Sequence, residues 1–383
     1  MYTRRNFLTR AVMGSTGLTA LSFLGCAAPL VVSTGEPSAD KRQAFSWEAS
    51  PPLYSPAARS EDLCYSVKDP SIVSYGGRWH LFTTIRSKAR SHQIEYASFT
   101  EFGEADSAQR HVLKIRDGYF CAPQVFYFTP KKMWFLVHQV DEKDRKGGLA
   151  PGCSRDNPFC RELRPAHATT RDLADPSSWS ASKLIDVRVP AGARAIEDFW
   201  VICDAQRAHL FFFSFDGKMW RASTTLEDFP EGFGPSELAL PADFFEAGHI
   251  YRLKDETRYL AIIEARTRGG IMYYKAYEAD RLDGTWRPLA DSEERPFAGR
   301  ANIQWPASAG TPWADNFSHG ELIRLGHDET PTVDPMRLEF LFQGVTDRQR
   351  AGKTMGKFPG GWGCSDLQAH KVEPLCPKFG FPK

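Results

Sequence analysis

Short runs of apolar and β-branched positions, each closed by a polar turn, recur in pairs along this chain from about residue 61 onward. The pairs are Asp69 to Tyr75 with Arg78 to Thr84, and Ala122 to Phe128 with Met133 to Val137. Then come Asp198 to Cys203 with Ala208 to Phe213, Glu246 to Tyr251 with Arg258 to Ile263, and His319 to Arg324 with Leu338 to Gln343. Third runs follow several of them, at Glu95 to Phe99, His167 to Thr170, Trp220 to Thr224 and Tyr274 to Tyr277. Runs of this length, rich in β-branched and aromatic residues, predict strands. No long stretch holds a helical period, which argues against an α/β barrel. Five units of roughly 50–75 residues, each with three or four strands, are the signature of a five-bladed β-propeller, an all-β fold. The expected domain spans 61–376 without an internal linker, and the stretch 141–165, rich in Gly, Lys and Pro, reads as a long surface loop.

The segments before it read differently. Residues 29–60 are rich in Pro, Ser and Ala and read as a tether. Residues 1–28 carry Arg4 and Arg5, then Phe7 and Leu8, then an apolar run of small residues from Ala11 to Leu24. That layout is a twin-arginine export signal, and the run is too short and too weakly apolar for a membrane span. Cys26 is a candidate site for a lipid anchor, with cleavage near Ala28 as the alternative. The chain is therefore expected outside the cytoplasm, as a secreted, periplasmic or membrane-anchored protein. There disulfides form, and Cys153 with Cys160 and Cys364 with Cys376 are the locally plausible pairs, while Cys203, inside an apolar run, reads as a buried thiol.

Composition narrows the function classes. The 383 residues are 42% hydrophobic and 25% charged, which is globular, and a net charge of +1 supplies no field for nucleic acid. Aromatics at 13% build a large β core and also line sugar clefts. A monomer is expected.

In a propeller the first strand of each blade lines the central channel. The five first strands open on or near Asp69, Gln124, Asp198, Glu246 and His319, so three acids, an amide and an imidazole are expected to converge. Carboxyl groups forced together keep one proton near neutral pH. A glycosidase needs such a set: an acid to protonate the leaving oxygen, and a base to activate water. A third carboxylate then tunes the acid.

Seven segments carry a resemblance. Val67 to Val73, Ile196 to Asp204, Gly217 to Ser223 and Phe245 to Ala247 resemble glycoside hydrolase family 62, the α-L-arabinofuranosidases. So do Pro296 to Asn302, Phe317 to Leu322 and Val333 to Pro335, in the family's order, over about residues 45 to 345. The resemblance implies an inverting hydrolysis with Asp69 as general base, Asp198 as the residue that sets the acid's pKa, and Glu246 as general acid. It implies that Lys68 contacts the arabinose and that His319 lies beside a structural calcium at the propeller centre. Gln124 and Asn302 are the further candidates for binding substrate. The partner implied is a hemicellulose such as arabinoxylan.

Two segments depart from the family: Val140-Asp141 stands where a Trp-Gly is usual, and Lys353 to Trp362 replaces a Tyr-containing segment. Both leave the sugar and the polymer open. The alternatives are a related five-bladed enzyme of the β-xylosidase or arabinanase type, and a carbohydrate-binding propeller without hydrolysis.

Overall fold

The computed structural model describes residues 45–57, 59, 62, 64–87, 92–145, 161–193, 195–241, 246–350 and 366–370, all within the compact unit 42–383. The export signal, Cys26, both expected cysteine pairs and most of the 141–165 loop lie outside the described residues. Among the described residues Cys64, Cys121 and Cys203 are free thiols, the last two buried.

After β1 (Trp47–Glu48), the strands fall into antiparallel sheets in chain order. The first sheet is β2 (Cys64–Tyr75), β3 (Arg78–Ser87), β4 (Gln93–Phe99) and β5 (Arg110–Val112). The second is β6 (Phe120–Phe128), β7 (Met133–Asp141), β8 (Leu163–Thr170) and β9 (Lys183–Leu184). The third is β10 (Ile196–Cys203), β11 (Arg207–Ser214), β12 (Lys218–Thr225) and β13 (Glu237–Pro241). The fourth is β14 (Glu246–Leu253), β15 (Tyr259–Arg266), β16 (Met272–Ala279) and β17 (Arg287–Ala290). Beyond it come β18 (Ile303–Gln304), β19 (Asn316–Leu322), β20 (Thr332–Val333), β21 (Phe340–Val345) and β22 (Asp366–His370). Here β19, β21 and β22 form a three-stranded sheet, and β20 runs parallel to β14. This is an all-β propeller.

The core lies between sheets rather than inside one. Val73 and Phe82 pack on Val125 and Trp134, Phe126 and Phe135 on Phe199 and Phe212, and Trp200 and Phe211 on Ile250 and Ile262. Leu341 closes onto Ile72 and Leu81. An innermost strand is thus covered on both faces, which is why all eight residues of β10 and all seven of β19 are buried.

Polar bonds run around the ring between these innermost strands. Val125 donates its N–H to Ser71 Oγ (3.0 Å), and Gln124 bonds Val201 N–H and C=O (2.7 Å each). Trp200 Nε1 donates to the Ile250 carbonyl (2.9 Å), and Leu322 N–H to Tyr251 Oη (2.9 Å). The buried Arg324 guanidinium then reaches the carbonyls of Ile72 and Val125, closing the circle onto β2 and β6. Both ends of the Gln124 amide are used in this ring, so it is a structural link and not a ligand for sugar.

One boundary moves. Residues 45–54, read as part of the tether, belong to the fold: Phe45, Trp47 and Tyr54 are buried, and β1 pairs in parallel with β18. Asn302 holds this segment in place. Its amide donates to the carbonyls of Phe45 (3.0 Å), Pro296 (3.0 Å) and Phe297 (2.9 Å) and accepts from Gly299 N–H (2.9 Å). Asn302 is therefore a clamp for the N-terminal segment, with its amide committed to backbone.

Candidate active site

Each innermost strand carries a β-bulge near its start. The register shifts fall between Lys68 and Ser71, Cys121 and Gln124, Glu197 and Trp200, Glu246 and Gly248, and Ser318 and Gly320. At every bulge one residue takes a left-handed conformation: Asp69 (φ 51°), Ala122 (52°), Asp198 (53°), Ala247 (48°) and His319 (24°). Such a conformation costs a side-chain-bearing residue about 1–3 kcal/mol and is characteristic of functional sites. A bulge lets two successive side chains leave the pleat toward the same end of the channel. Lys68, Asp69, Glu197, Asp198, Glu246 and His319, at or before these bulges, are neighbours there.

This phase corrects the alignment read from the sequence. Asp69, Asp198 and His319 are the bulge residues of their strands. Glu246 stands one position earlier, level with Lys68, Cys121, Glu197 and Ser318, and Ala247 takes the bulge itself. Gln124 lies two residues past its bulge, deeper in the channel.

Two of the three expected acids, Asp198 and Glu246, come together, and Glu197 joins them. One oxygen from each of Glu197, Asp198 and Glu246 lies within 4.8 Å of the others. Asp69 and Asp198 are nearly fully buried, while Glu246 keeps partial exposure and is the carboxyl that an incoming molecule reaches. Lys68 Nζ sits 3.5 Å from Asp69 Oδ1. Burial opposes the Lys68 charge, yet Asp69 and Glu246 hold its ammonium above the ordinary lysine range.

Burial first, and then mutual repulsion, raises the pKa of both Glu197 and Asp198 well above the carboxylate range. Glu246 is raised by burial as well, with Lys68 pulling the other way. Hydrogen bonding decides where the proton sits. Glu197 and Glu246 bond to each other, which two ionised carboxylates cannot do, so one proton lies between them; the bond raises Glu197 and lowers Glu246, which places the resting proton on Glu197. Asp198 Oδ2 accepts the Ala247 N–H at 2.9 Å, and this donor together with Lys68 favours its ionised form.

Burial lowers the His319 pKa despite the opposing pull of Asp69, so the imidazole stands neutral, with Nδ1 3.3 Å from Asp69 Oδ1. That oxygen is buried with no hydrogen-bond partner. The imidazole and this oxygen, which also faces the Lys68 ammonium at 3.5 Å, are the groups that would hold a cation on this side. A relay supports this side: Asp69 N–H donates to Gln343 Oε1 (2.9 Å), and Gln343 Nε2 to Ser318 Oγ (3.0 Å). Ser318 Oγ donates to the buried Glu264 carboxylate, which also accepts His319 N–H (2.8 Å).

Glu197, Glu264 and Cys121 were not singled out in the sequence. Glu197 was legible in principle, since it precedes Asp198 as Lys68 precedes Asp69. Burial and Asp69 push the Cys121 thiol up to about 12, so it lines the site as an unreactive group.

The profile of Glycosyl hydrolase family 62 matches residues 46–146 and 162–360. α-L-Arabinofuranosidase C of Cellvibrio japonicus (strain Ueda107) is 38% identical over 307 residues, 78% of this chain and 44% of that protein. The chain thus spans less than half the length of that curated relative. The catalytic domain of a Coprinopsis cinerea family 62 α-L-arabinofuranosidase superposes with a TM-score of 0.72 at 30% identity, covering 87% of this chain and 98% of the other. A family 62 hydrolase solved in complex with xylotriose superposes at 0.67 with 32% identity, over 79% and 92% of the two chains. With the family profile spanning both halves of the propeller and including all the bulge-borne acids, this chain belongs to glycosyl hydrolase family 62.

Proposed function

We propose that this chain is an inverting α-L-arabinofuranosidase that removes arabinofuranosyl side chains from arabinoxylan or a related hemicellulose. The observation that carries the reading is the division of labour among four carboxyls. Asp69 stands with Lys68 and His319, and the hydrogen-bonded Glu197–Glu246 pair stands beside Asp198, which accepts the Ala247 N–H. Asp69 takes a proton from a water that attacks the anomeric carbon, while Glu246 gives its proton to the departing glycosidic oxygen. The C–O bond breaks as the new one forms on the opposite face, and configuration inverts. Asp198 keeps Glu246 protonated toward neutral pH, since a fixed anion nearby disfavours a second. Lys68 pairs with Asp69 and is placed to hydrogen-bond the sugar. The relatives named for arabinofuranosidase activity, and the xylotriose complex, support the sugar and the backbone polymer respectively.

The three-stranded sheet of β19, β21 and β22 is read as the fifth blade, because its innermost strand repeats the bulge of the other four. His319 would hold a structural calcium, whose charge would offset the local excess of carboxylates. Arg4 and Arg5 mark the chain for twin-arginine export, with Cys26 as the anchor point if lipid is attached. The chain acts as a monomer.

Arabinose release from arabinoxylan by the purified enzyme, compared with Asp69→Asn and Glu246→Gln, tests the assignment. Wild-type release with loss in both variants is expected. Activity on xylosides or linear arabinan in its place would move the chain to another specificity.

A further inference from the structure

The bulge N–H groups are accepted in a pattern that one sheet breaks. In four of five cases the acceptor is a side chain on the second strand of the preceding sheet. Thr84 Oγ1 accepts from Ala122 (2.9 Å), Gln139 Oε1 from Asp198 (3.0 Å), Glu264 from His319 (2.8 Å) and Gln343 Oε1 from Asp69 (2.9 Å). These four residues occupy one register position, opposite Lys68, Cys121, Glu246 and Ser318. In the third sheet that position, opposite Glu197, is Phe213. A phenyl ring accepts no such bond, and the Ala247 N–H goes to Asp198 Oδ2 (2.9 Å).

We propose that Phe213 is a positioning residue for the acid: as the one apolar side chain in this ring of acceptors, it leaves the Ala247 N–H to Asp198 and so fixes the Asp198 carboxylate beside Glu246. Its ring also backs the peptide that carries the bond. A Cβ added at Gly248 would meet Phe213 Cζ at 2.0 Å, so the ring lies against the residue after Ala247 and requires glycine there. The inference rests on the reading of Asp198 and Glu246 given above.

A hydrogen-bonding side chain at 213 would compete for the Ala247 N–H. Asp198 would then lose a donor that favours its charge. The charged and titratable groups around Asp198 are Glu246 on β14, Lys68 and Asp69 on β2, Glu197 on its own strand and Glu264 on β15. None of them replaces that donor. With its charge less favoured, Asp198 takes up proton density that the Glu197–Glu246 pair held, and the acid is lost at lower pH. Glu197, Asp198, Glu246 and Glu264 titrate together, so the readout is the macroscopic basic limb of the rate profile.

The test compares Phe213→Gln with Phe213→Met, whose side chains are close in volume and differ in hydrogen bonding. On an arabinoxylan oligosaccharide, Phe213→Met should keep the wild-type basic limb of kcat/KM. Phe213→Gln should move it down by about one pH unit or more, with kcat falling further than KM rises. Coincident limbs in the two variants overturn the proposal and leave Phe213 a packing residue. If Phe213→Gln fails to fold, Phe213→Thr against Phe213→Val is read in the same way, since those side chains match in shape and differ by a hydroxyl. Asp198→Asn and Glu246→Gln separate the two levels. If both remain active, the reading of the acid fails; if both are inactive and the Gln and Met limbs coincide, only the role of Phe213 fails.

Discussion

Replacing Asp198 by Asn removes one negative charge from beside the acid while nearly preserving shape and the contact with Ala247 N–H. The closest oxygens of Asp198 and Glu246 are within 4.8 Å. At an effective dielectric constant of about 20, two unit charges at 4.8 Å repel by about 3.5 kcal/mol, equivalent to about 2.5 pH units. Lys68 offsets part of this field, and the shared proton with Glu197 spreads the rest, so a downward shift of about one to two units is expected. The direction follows from the sign of the coupling: with the anion gone, Glu246 ionises more easily and ceases to be an acid at a lower pH. The assay is kcat/KM from pH 4 to 9 on an arabinoxylan oligosaccharide, whose alcohol leaving group depends on protonation. The basic limb should move down, and the rate near neutral pH should fall by about 10- to 100-fold. A variant with an unshifted basic limb and normal activity would refute the assignment of Asp198.

Glu246→Gln should lower the rate on natural arabinosides by about 10²–10⁴-fold, and by much less on an aryl arabinoside with an acidic phenol, because that leaving group needs little help. Equal losses on both substrates would place Glu246 outside proton donation. Gly248→Ala should destabilise by about 1–3 kcal/mol in denaturant melts, because its methyl meets the Phe213 ring, and Phe213→Val should relieve most of that cost. Additive losses in the double variant would contradict the packing. Asn302→Ala should cost about 1–3 kcal/mol of stability by removing the amide bonds to the carbonyls of Phe45 and Pro296, the Phe297 carbonyl keeping the Trp47 indole donor, with KM for arabinosides unchanged. A raised KM with a normal melt would restore Asn302 to the substrate site.

The strands were legible because propeller blades bury their innermost strand on both faces. Runs such as Phe199-Trp200-Val201-Ile202 and Leu210 to Phe213 therefore appear as unbroken apolar stretches with polar turns between. The phase of the acids was harder to read. A bulge inserts one residue and resets the alternation of side chains, and nothing in the local sequence separates Glu246 before a bulge from Asp198 on one. Gln124 and Asn302 looked like ligands because each is a polar residue near channel-lining strands. Gln124 bonds Val201, 77 residues away, and Asn302 adds to its local bonds one to Phe45, 257 residues away, and those long-range pairings exist only after folding. Residues 45–54 were assigned to a tether by their prolines and serines, although Phe45, Trp47 and Tyr54 are too large and apolar for one. Glu197 was legible from its place before Asp198, as Lys68 stands before Asp69, but its role, like that of Phe213, was not. Each gains its role from a residue on the neighbouring sheet, Glu246 in one case and the Ala247–Gly248 peptide in the other.

The central claim is that Asp69 and the Glu246 acid act on opposite faces of an arabinofuranoside. Proton NMR recorded through the first minutes of hydrolysis of an arabinoxylan oligosaccharide tests it most directly, because the anomers interconvert only slowly after release. The account predicts that β-L-arabinofuranose appears first and the α anomer grows in afterwards. First appearance of the α anomer, or release of xylose without arabinose, would contradict it.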